Sequence, residues 1–233
     1  MENSFFEFNS DYPIILEECK TPSQNKIFRD TINKYHSYKK YTDSPTRNIR
    51  WLVYEKTGNQ VGVIGLSSAT IAVKVRDDFI GWNNSTKIKN LGMLANNSRF
   101  CLVKERFTIK NIGSMTLKRL EIDGSKLWKE KYNQDLILLE TFVEPSSDRI
   151  GCVYKASNWI ELGLTSGASF KKCPLLLWQK ESGERGKIAR ENPKLAMEIY
   201  GNYEGRKYIV TQSKQKIMFV KPLIKNWKEK LLQ

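Results

Sequence analysis

Several groups of residues in this chain have the types that chemistry needs. Glu140 stands in the nearly continuous apolar run "DLILLETFVEP", where an inward-facing charge must be compensated or its proton affinity raised. A carboxylate at the end of such a strand, with Tyr154 and Asn158 on the segment that follows, forms a reasonable site; its rival is a Glu140 satisfied by a buried Arg or by backbone N–H groups. His36, the single histidine, is a natural general base near neutral pH, although a lone His beside Tyr35 and Tyr38 also suits a structural role. The word "RDDFIGW", Arg76 to Trp82, sets two carboxylates beside an Arg and a Trp. On a strand, Asp77 and Asp78 point to opposite faces, so one of them, fixed by Arg76, faces a cleft as a base; a salt-bridged loop with Trp82 in the core is the alternative. The turn "KNIGSM", Lys110 to Met115, opens a helix whose N-terminal N–H groups favour an anion. There Asn111 can take the left-handed conformation, and Lys110, Ile112, Gly113, Ser114 and Met115 complete the candidate cradle. Asn111 and Ser114 are equally suited simply to cap that helix.

Other chemistries are absent from the sequence. No G-x-S-x-G elbow and no G-x-x-x-x-G-K-[ST] loop occurs. With one His, and with Cys19, Cys101, Cys152 and Cys173 scattered, no metal-ligand spacing exists, so no metal is expected and the thiols are read as buried and free.

The elements that must position these residues follow from pattern. Residues 1–45 read as mostly helical, with Ser23 as the N-cap of "PSQNKIFRDTINKYHSY". "IRWLVYEKTGNQVGVIGLSSA" is a hairpin turning at Gly58-Asn59. The segment "VRDDFIGWNNSTKIKNLGMLANNSRF" reads as loop with a short helix around 85–94. Then come a strand in "RFCLVKERF", a helix over about 113–133 whose apolar stripe breaks at "DG", and a doubly covered strand in "DLILLETFVEP". "RIGCVYKASNWIELG" is read as a helix ending at Gly163, and "KKCPLLLWQK" and "KIMFVKPL" as further strands. This order predicts an α/β (α+β) fold with a mixed central sheet flanked by helices, as one domain over 1–233 carrying a basic insertion over about 179–212.

Charge points to partners. The net charge is +14, and residues 171–233 hold 15 Lys or Arg against 6 Asp or Glu, so +9 falls in that stretch. Lys171, Lys172, Arg76, Trp82 and Asn158 are the candidate nucleic-acid contacts, and Tyr200, Tyr203, Tyr208, Phe219 and Trp227 interleave the basic tail. An ordinary solvated basic face is the competing reading. With no apolar run of membrane-spanning length and no signal layout in "MENSFFEFNS", the protein is expected in the cytoplasm, away from membrane.

Two resemblances add to this. The strand, "KNIGSM" turn and helix resemble the core of the GNAT family of N-acetyltransferases, with the hairpin before and the strand, Tyr-bearing segment and strand after in the same order. That resemblance implies an acyl-CoA donor held on Lys110 to Met115, with Tyr154 protonating the leaving thiolate. The chain departs from the pattern where Thr108 and Asn111 stand at the positions of the usual Arg or Gln and first Gly. More specifically, "YH" (35–36), "RDDFIGW", "NLGMLANNSRFCLV", "KNIGSMTL", "LLETFVEPSSDRIGCVYKASNWIELGLTSG" and "FVKPL" resemble the DruA family of Druantia anti-phage systems. This resemblance implies a role in defence or DNA-linked biology, with partner proteins of a defence system. Together the readings lead to acyl or related transfer to a nucleobase, with His36, Asp77 or Glu140 as candidate bases; a non-catalytic DNA-binding subunit is the alternative.

Overall fold

The structure, a computed structural model, describes residues 12–36, 41–42, 46–146, 150–166, 169–172, 178–179, 181–200, 209–212 and 214–233, with backbone alone for 169–172 and 209–212. The strands are β1 (Ile14–Glu18), β2 (Asn48–Glu55), β3 (Gln60–Ser68), β4 (Leu94–Leu102), β5 (Leu138–Val143), β6 (Ile160–Leu164), β7 (Ser169–Lys172), β8 (Ile209–Gln212) and β9 (Ile217–Pro222). The helices are α1 (Pro22–Tyr35), α2 (Lys74–Ile80), α3 (Asn84–Asn90), α4 (Ile112–Arg119), α5 (Ser125–Tyr132), α6 (Cys152–Ala156), α7 (Glu184–Glu191), α8 (Pro193–Tyr200) and α9 (Trp227–Leu232). The expected α/β class holds. Seven strands form one sheet in the order β1-β2-β3-β4-β5-β9-β6, antiparallel throughout except where β4 meets β5.

Contacts divide the chain into two units, 1–165 with 216–233, and 166–215. The second unit pairs β7 with β8 and packs α7 and α8 around Trp178, Ala189 and Ala196. It contains the basic insertion expected over 179–212. Tyr203 and Tyr208 lie outside the described residues, as does Cys173.

Each face of the large sheet has its own core. Leu139 and Val143 of β5 join Ile112, Leu117, Trp128 and Tyr154 on the face of α4, α5 and α6. Leu138 of the same strand joins Ile80 and Leu231 on the face of α2 and α9. The alternation along β5 puts these two sets on opposite sides, which is why the run reads as continuously apolar.

Local structure departs from the sequence reading at "KKCPLLLWQK", where β7 ends at Lys172 and Trp178 is helical, and in four other places. The N-terminal segment is not mostly helix: "IILEE" forms β1, and α1 starts at Pro22 with Thr21, not Ser23, as its N-cap. Thr21 Oγ1 accepts from Gln24 N while Gln24 Oε1 accepts from Thr21 N, and Pro22 takes the first helical position, where its missing N–H is harmless. "KVRDDFI", read as loop, is helix α2, so Asp77 and Asp78 sit on adjacent helical positions instead of opposite faces of a strand. The helix expected at 85–94 ends at Asn90, and Leu94 opens β4. The helix expected to end at Gly163 stops at Ala156. Asn158 turns left-handed (φ 57°), and β6 follows, with Gly163 at a slip in its register with β9. Elsewhere, the break at "DG" is real: Leu120–Gly124 is π-helical, joining α4 and α5 into one rod.

The entry to α6 depends on Gly151. Its φ is +77°, and a Cβ there would sit 2.4 Å from Cε2 and Cζ of Phe219. Gly151→Ala is therefore expected to destabilise the fold by more than about 2 kcal/mol, from left-handed strain plus overpacking. Urea unfolding checks this; an unchanged midpoint would show that the entry to α6 relaxes freely.

Candidate functional site

β4 and β5 run parallel and pair over Leu94↔Leu138, Ala95↔Leu139 and Asn96↔Glu140, then part. Because β4 continues to Leu102 and β5 to Val143, their facing edges beyond this point carry no ladder between them. A bulge in β4 accompanies the parting: Arg99 pairs with Gly65 and Asn97 with Leu66, which leaves Ser98 as the extra residue. The Asn97 amide bridges that bulge, donating from Nδ2 to the carbonyls of Gly65 and Arg99 at 3.1 Å each.

The parted strands enclose a cavity of about 390 Å³, lined among others by His36, Asn97, Phe100, Thr141, Cys152 and Tyr154. Tyr154 is buried, and its hydroxyl donates to Asn97 Oδ1 at 2.9 Å. Thr141 Oγ1 donates to the Asn97 carbonyl at 3.0 Å and lies 3.3 Å from the Tyr154 hydroxyl. The Tyr154 ring stacks on Phe219 at 5.6 Å and meets the edge of Trp159 at 5.1 Å, so its position is fixed by packing on several sides. His36 reaches the cavity from the C-terminal end of α1, where its backbone N–H bonds to Ile32 O. Of the two cavity thiols, Cys101 is buried and desolvation pushes it up to about 11, whereas Cys152 is exposed.

Glu140 stands apart from this group. It is the last residue of β5 paired to β4, fully buried, and points to the face opposite Thr141. Its Oε2 accepts from Arg76 Nη1 at 2.9 Å and its Oε1 from Thr70 N at 2.8 Å. The compensation that the sequence left open is thus a buried Arg together with a backbone N–H. Burial raises the Glu140 carboxyl above the usual carboxylate range, opposed by the Arg76 guanidinium and the Thr70 N–H. Arg76 also bonds Thr70 O, Ile71 O and, from Nε and Nη2, Asp77 Oδ1. Asp77 in turn receives Lys87, while Asp78 pairs with Lys74 in solvent. Trp82 lies 5.5 Å from the Arg76 guanidinium and donates from Nε1 to Leu231 O at 2.6 Å, which ties it to α9. Arg76, Asp77 and Trp82 are therefore brought together with Glu140, on the opposite side of the sheet from Tyr154.

The "KNIGSM" turn is next to the cavity but not in its lining. Asn111 takes φ 60°, the left-handed conformation usually supplied by Gly, and its side chain makes no capping bond. Lys110 is exposed and Ile112 is buried. Gly113 allows α4 to approach α6, since a Cβ there would lie 2.6 Å from Val153 Cγ2. Met115 N donates to Asn111 O, and Met115 O accepts from Tyr12. Just upstream, Thr108 N donates to the buried Glu55 carboxylate at 3.1 Å, so a carboxylate already occupies an amide two residues before the turn. Asn158 is exposed and serves the backbone turn between α6 and β6, its carbonyl 3.4 Å from Lys221 Nζ. Lys171 and Lys172 lie in β7, and their side chains are outside the described residues. Among the described residues, no three His, Cys, Asp or Glu side chains converge as metal ligands, and no helix is long and apolar enough to cross a membrane.

The sequence pointed to His36 and Tyr154 but missed Asn97 and Thr141, which hold the cavity's polar floor. The only signal was the run "ANNS", too polar for a central strand unless a bulge absorbs it.

The buried pair yields a sharp expectation. Glu140→Ala breaks a fully buried ion pair and leaves Arg76 Nη1 and Thr70 N without this acceptor, with Asp77 still on the guanidinium, and is expected to destabilise the first unit by about 3–5 kcal/mol. Tyr154→Phe takes the hydroxyl donor from the buried Asn97 Oδ1 and is expected to lose less, about 1–3 kcal/mol. Thermal unfolding of both variants compares them, and equal losses would contradict this division of roles.

No curated protein matches the chain. A family model described as Druantia protein DruA matches residues 9–172, which include β1 to β7, the cavity and the buried ion network. A match over most of the chain, spanning the elements that build the site, shows that this chain belongs to the DruA family.

Proposed function

We propose that this DruA-family protein transfers an acyl or related group from an acyl-CoA to an amine of a nucleic-acid base, as part of anti-phage defence. The observation that carries this reading is the parting of β4 and β5 around a cavity with Tyr154 on its floor and His36 on its rim. The family supports the defence role. The single seven-stranded sheet, with its hairpin, its strand–turn–helix and the Tyr-bearing helix between strands, supports a GNAT-like fold.

The residues fit a donor of this kind in part. The cavity volume and the unpaired facing edges of β4 and β5 suit an extended arm lying between strands. The start of α4, with no side-chain cap, suits its anionic end, with Lys110 nearby, although Glu55 at Thr108 narrows that cradle. When bound, an acyl-CoA supplies the activated acyl group. His36 takes the proton that the acceptor amine loses as its nitrogen forms the new bond to carbon. Tyr154 gives its proton to the sulfur as the carbon–sulfur bond breaks. The Tyr154 proton points to Asn97 at rest, and rotation of the hydroxyl about its C–O bond re-aims it without moving the packed ring. Glu140 is left out of this scheme, because Arg76 and Thr70 hold it on the other face.

A second reading, a non-catalytic DNA-binding subunit, is favoured by the +9 charge over residues 171–233. Calorimetry with acetyl-CoA and mass spectrometry of nucleosides from treated DNA separate the two. The transfer reading expects binding that Tyr154→Phe leaves within about twofold, and turnover that it lowers by about 100-fold or more. No acetyl-CoA binding and no mass added to nucleosides, alongside salt-sensitive DNA binding, would favour the subunit instead.

A further inference from the structure

The cavity between β4 and β5 is lined from both faces of the sheet. Tyr154, Phe100 and Leu102 of its lining pack with the core that holds Ile112, at the start of α4. Tyr35 and Cys101 of the same lining pack with Phe28 of α1 and Leu52 of β2. Leu52 and Val53 are neighbours on β2 and belong to these different cores, so the two groups stand on opposite faces.

Among the described residues, no Lys, Arg, Asp or Glu lines the cavity. Cations gather just outside it, around Tyr35. Lys34 Nζ lies 5.0 Å and the Arg106 guanidinium 5.6 Å from the centre of the Tyr35 ring. Arg106 ends the short turn Lys104–Arg106 that follows β4, and that turn is docked on the β2–β3 hairpin. Arg106 N donates to Val103 O, and Asn59 Nδ2 donates to Arg106 O. Arg106 Nη1 donates to Gln60 Oε1, and Gln60 Nε2 is anchored on Gly62 O at 2.8 Å. A neutral amide and a ring thus hold the guanidinium, and among the described residues no carboxylate pairs with it. Its Nε and Nη2, an edge that grips a phosphate with two parallel bonds, have no acceptor there. Lys34 and Lys104 are exposed and make no ion pair among the described residues. Of the nearby acids, Glu105 is in the turn itself, and Glu55 is buried and already takes Thr108 N.

An uncharged cavity with a cationic rim fits a ligand that has a neutral head and an anionic attachment. A volume of about 390 Å³ is ample for a small planar head. The start of α4 packs on the other face, so the rim at Tyr35 answers to a phosphate-bearing molecule other than the donor. A base swung out of a single strand has both parts, a neutral ring and a phosphate on either side.

We propose that Arg106 and Lys34, set against the Tyr35 ring, bind the backbone phosphates of a single-stranded nucleic acid and lead one of its bases into the cavity. Arg106 grips one phosphate through Nε and Nη2, and Lys34 meets a neighbouring one. The entry of the base rests on the group-transfer reading above; the phosphate binding does not.

The test is fluorescence anisotropy of the full chain with a labelled single-stranded oligodeoxynucleotide over a range of salt. Arg106→Gln should weaken binding about tenfold and lower the salt slope by about 0.7, the share of one phosphate contact. Arg106→Lys keeps the charge and loses the two-pronged edge, so its affinity should fall between the two. Lys34→Gln should lower the slope by a similar amount with the melting temperature nearly unchanged. Lys126→Gln, exposed on α5, should change neither affinity nor slope. The proposal is overturned if Arg106→Gln and Lys34→Gln leave both unchanged, if Lys126→Gln weakens binding as much, or if a duplex of the same sequence binds as tightly. Arg106→Gln weakening acetyl-CoA more than the oligonucleotide would also overturn it, because the rim would then serve the donor. If acetyl-CoA does not bind while the oligonucleotide responds as described, the transfer reading falls and the phosphate site stands. If Arg106→Gln adds mass to DNA nucleosides as fast as the native chain, the phosphate site falls and the transfer reading stands.

Discussion

The structure turns on the point where β4 and β5 stop pairing. Two parallel strands that held their ladder to the end would close the sheet and leave no room for a ligand. Here the last pair is Asn96↔Glu140, and the parting is clamped from both faces. On one face the Glu140 carboxylate is held by Arg76 and Thr70; on the other, Thr141 Oγ1 bonds the Asn97 carbonyl one residue beyond. Alternation along β5 makes this double clamp possible, because neighbouring residues point to opposite sides.

A buried ion pair is a poor source of net stability, since desolvation offsets most of the attraction. The Arg76–Glu140 pair makes sense as a device for position. Arg76 has five N–H donors, and bonds to Glu140, Asp77 twice, Thr70 and Ile71 occupy them. The guanidinium thereby fastens the chain between β3 and α2 to the end of the β4–β5 ladder. Trp82 covers the guanidinium and reaches α9, so the same cluster anchors the C-terminal helix. On the other face, Asn97 does the corresponding work with neutral groups, bridging the bulge and orienting Tyr154.

Much of this could be read from the residues in advance. The hairpin, the strands at "RFCLV", "LLETFV" and "KIMFVK", and the interrupted helix all follow from local pattern, and Asn111 takes the left-handed turn expected of it. The misread segments share a cause. "KVRDDFI" looks like a polar loop because its buried Arg76 is satisfied by half-buried Asp77 and by Glu140, which lies 64 residues away. "YKASNWIELG" looks helical by composition, yet Asn158 reverses the chain so that β6 can pair with β9. Tertiary pairing overrides propensity in both.

By itself the sequence determined the α/β class, the reactive residue types and the basic C-terminal charge, because these depend on composition and short-range periodicity. It named His36 and Tyr154, which meet at one cavity, and Glu140, whose charge had to find a partner. Only the tertiary structure decided that Glu140 and Tyr154 lie on opposite faces, that Asn97 holds the tyrosine, and that Asn96 keeps a buried carbonyl unpaired. Those outcomes depend on strand register and a single bulge, and a shift of one residue would exchange every side chain between the two faces.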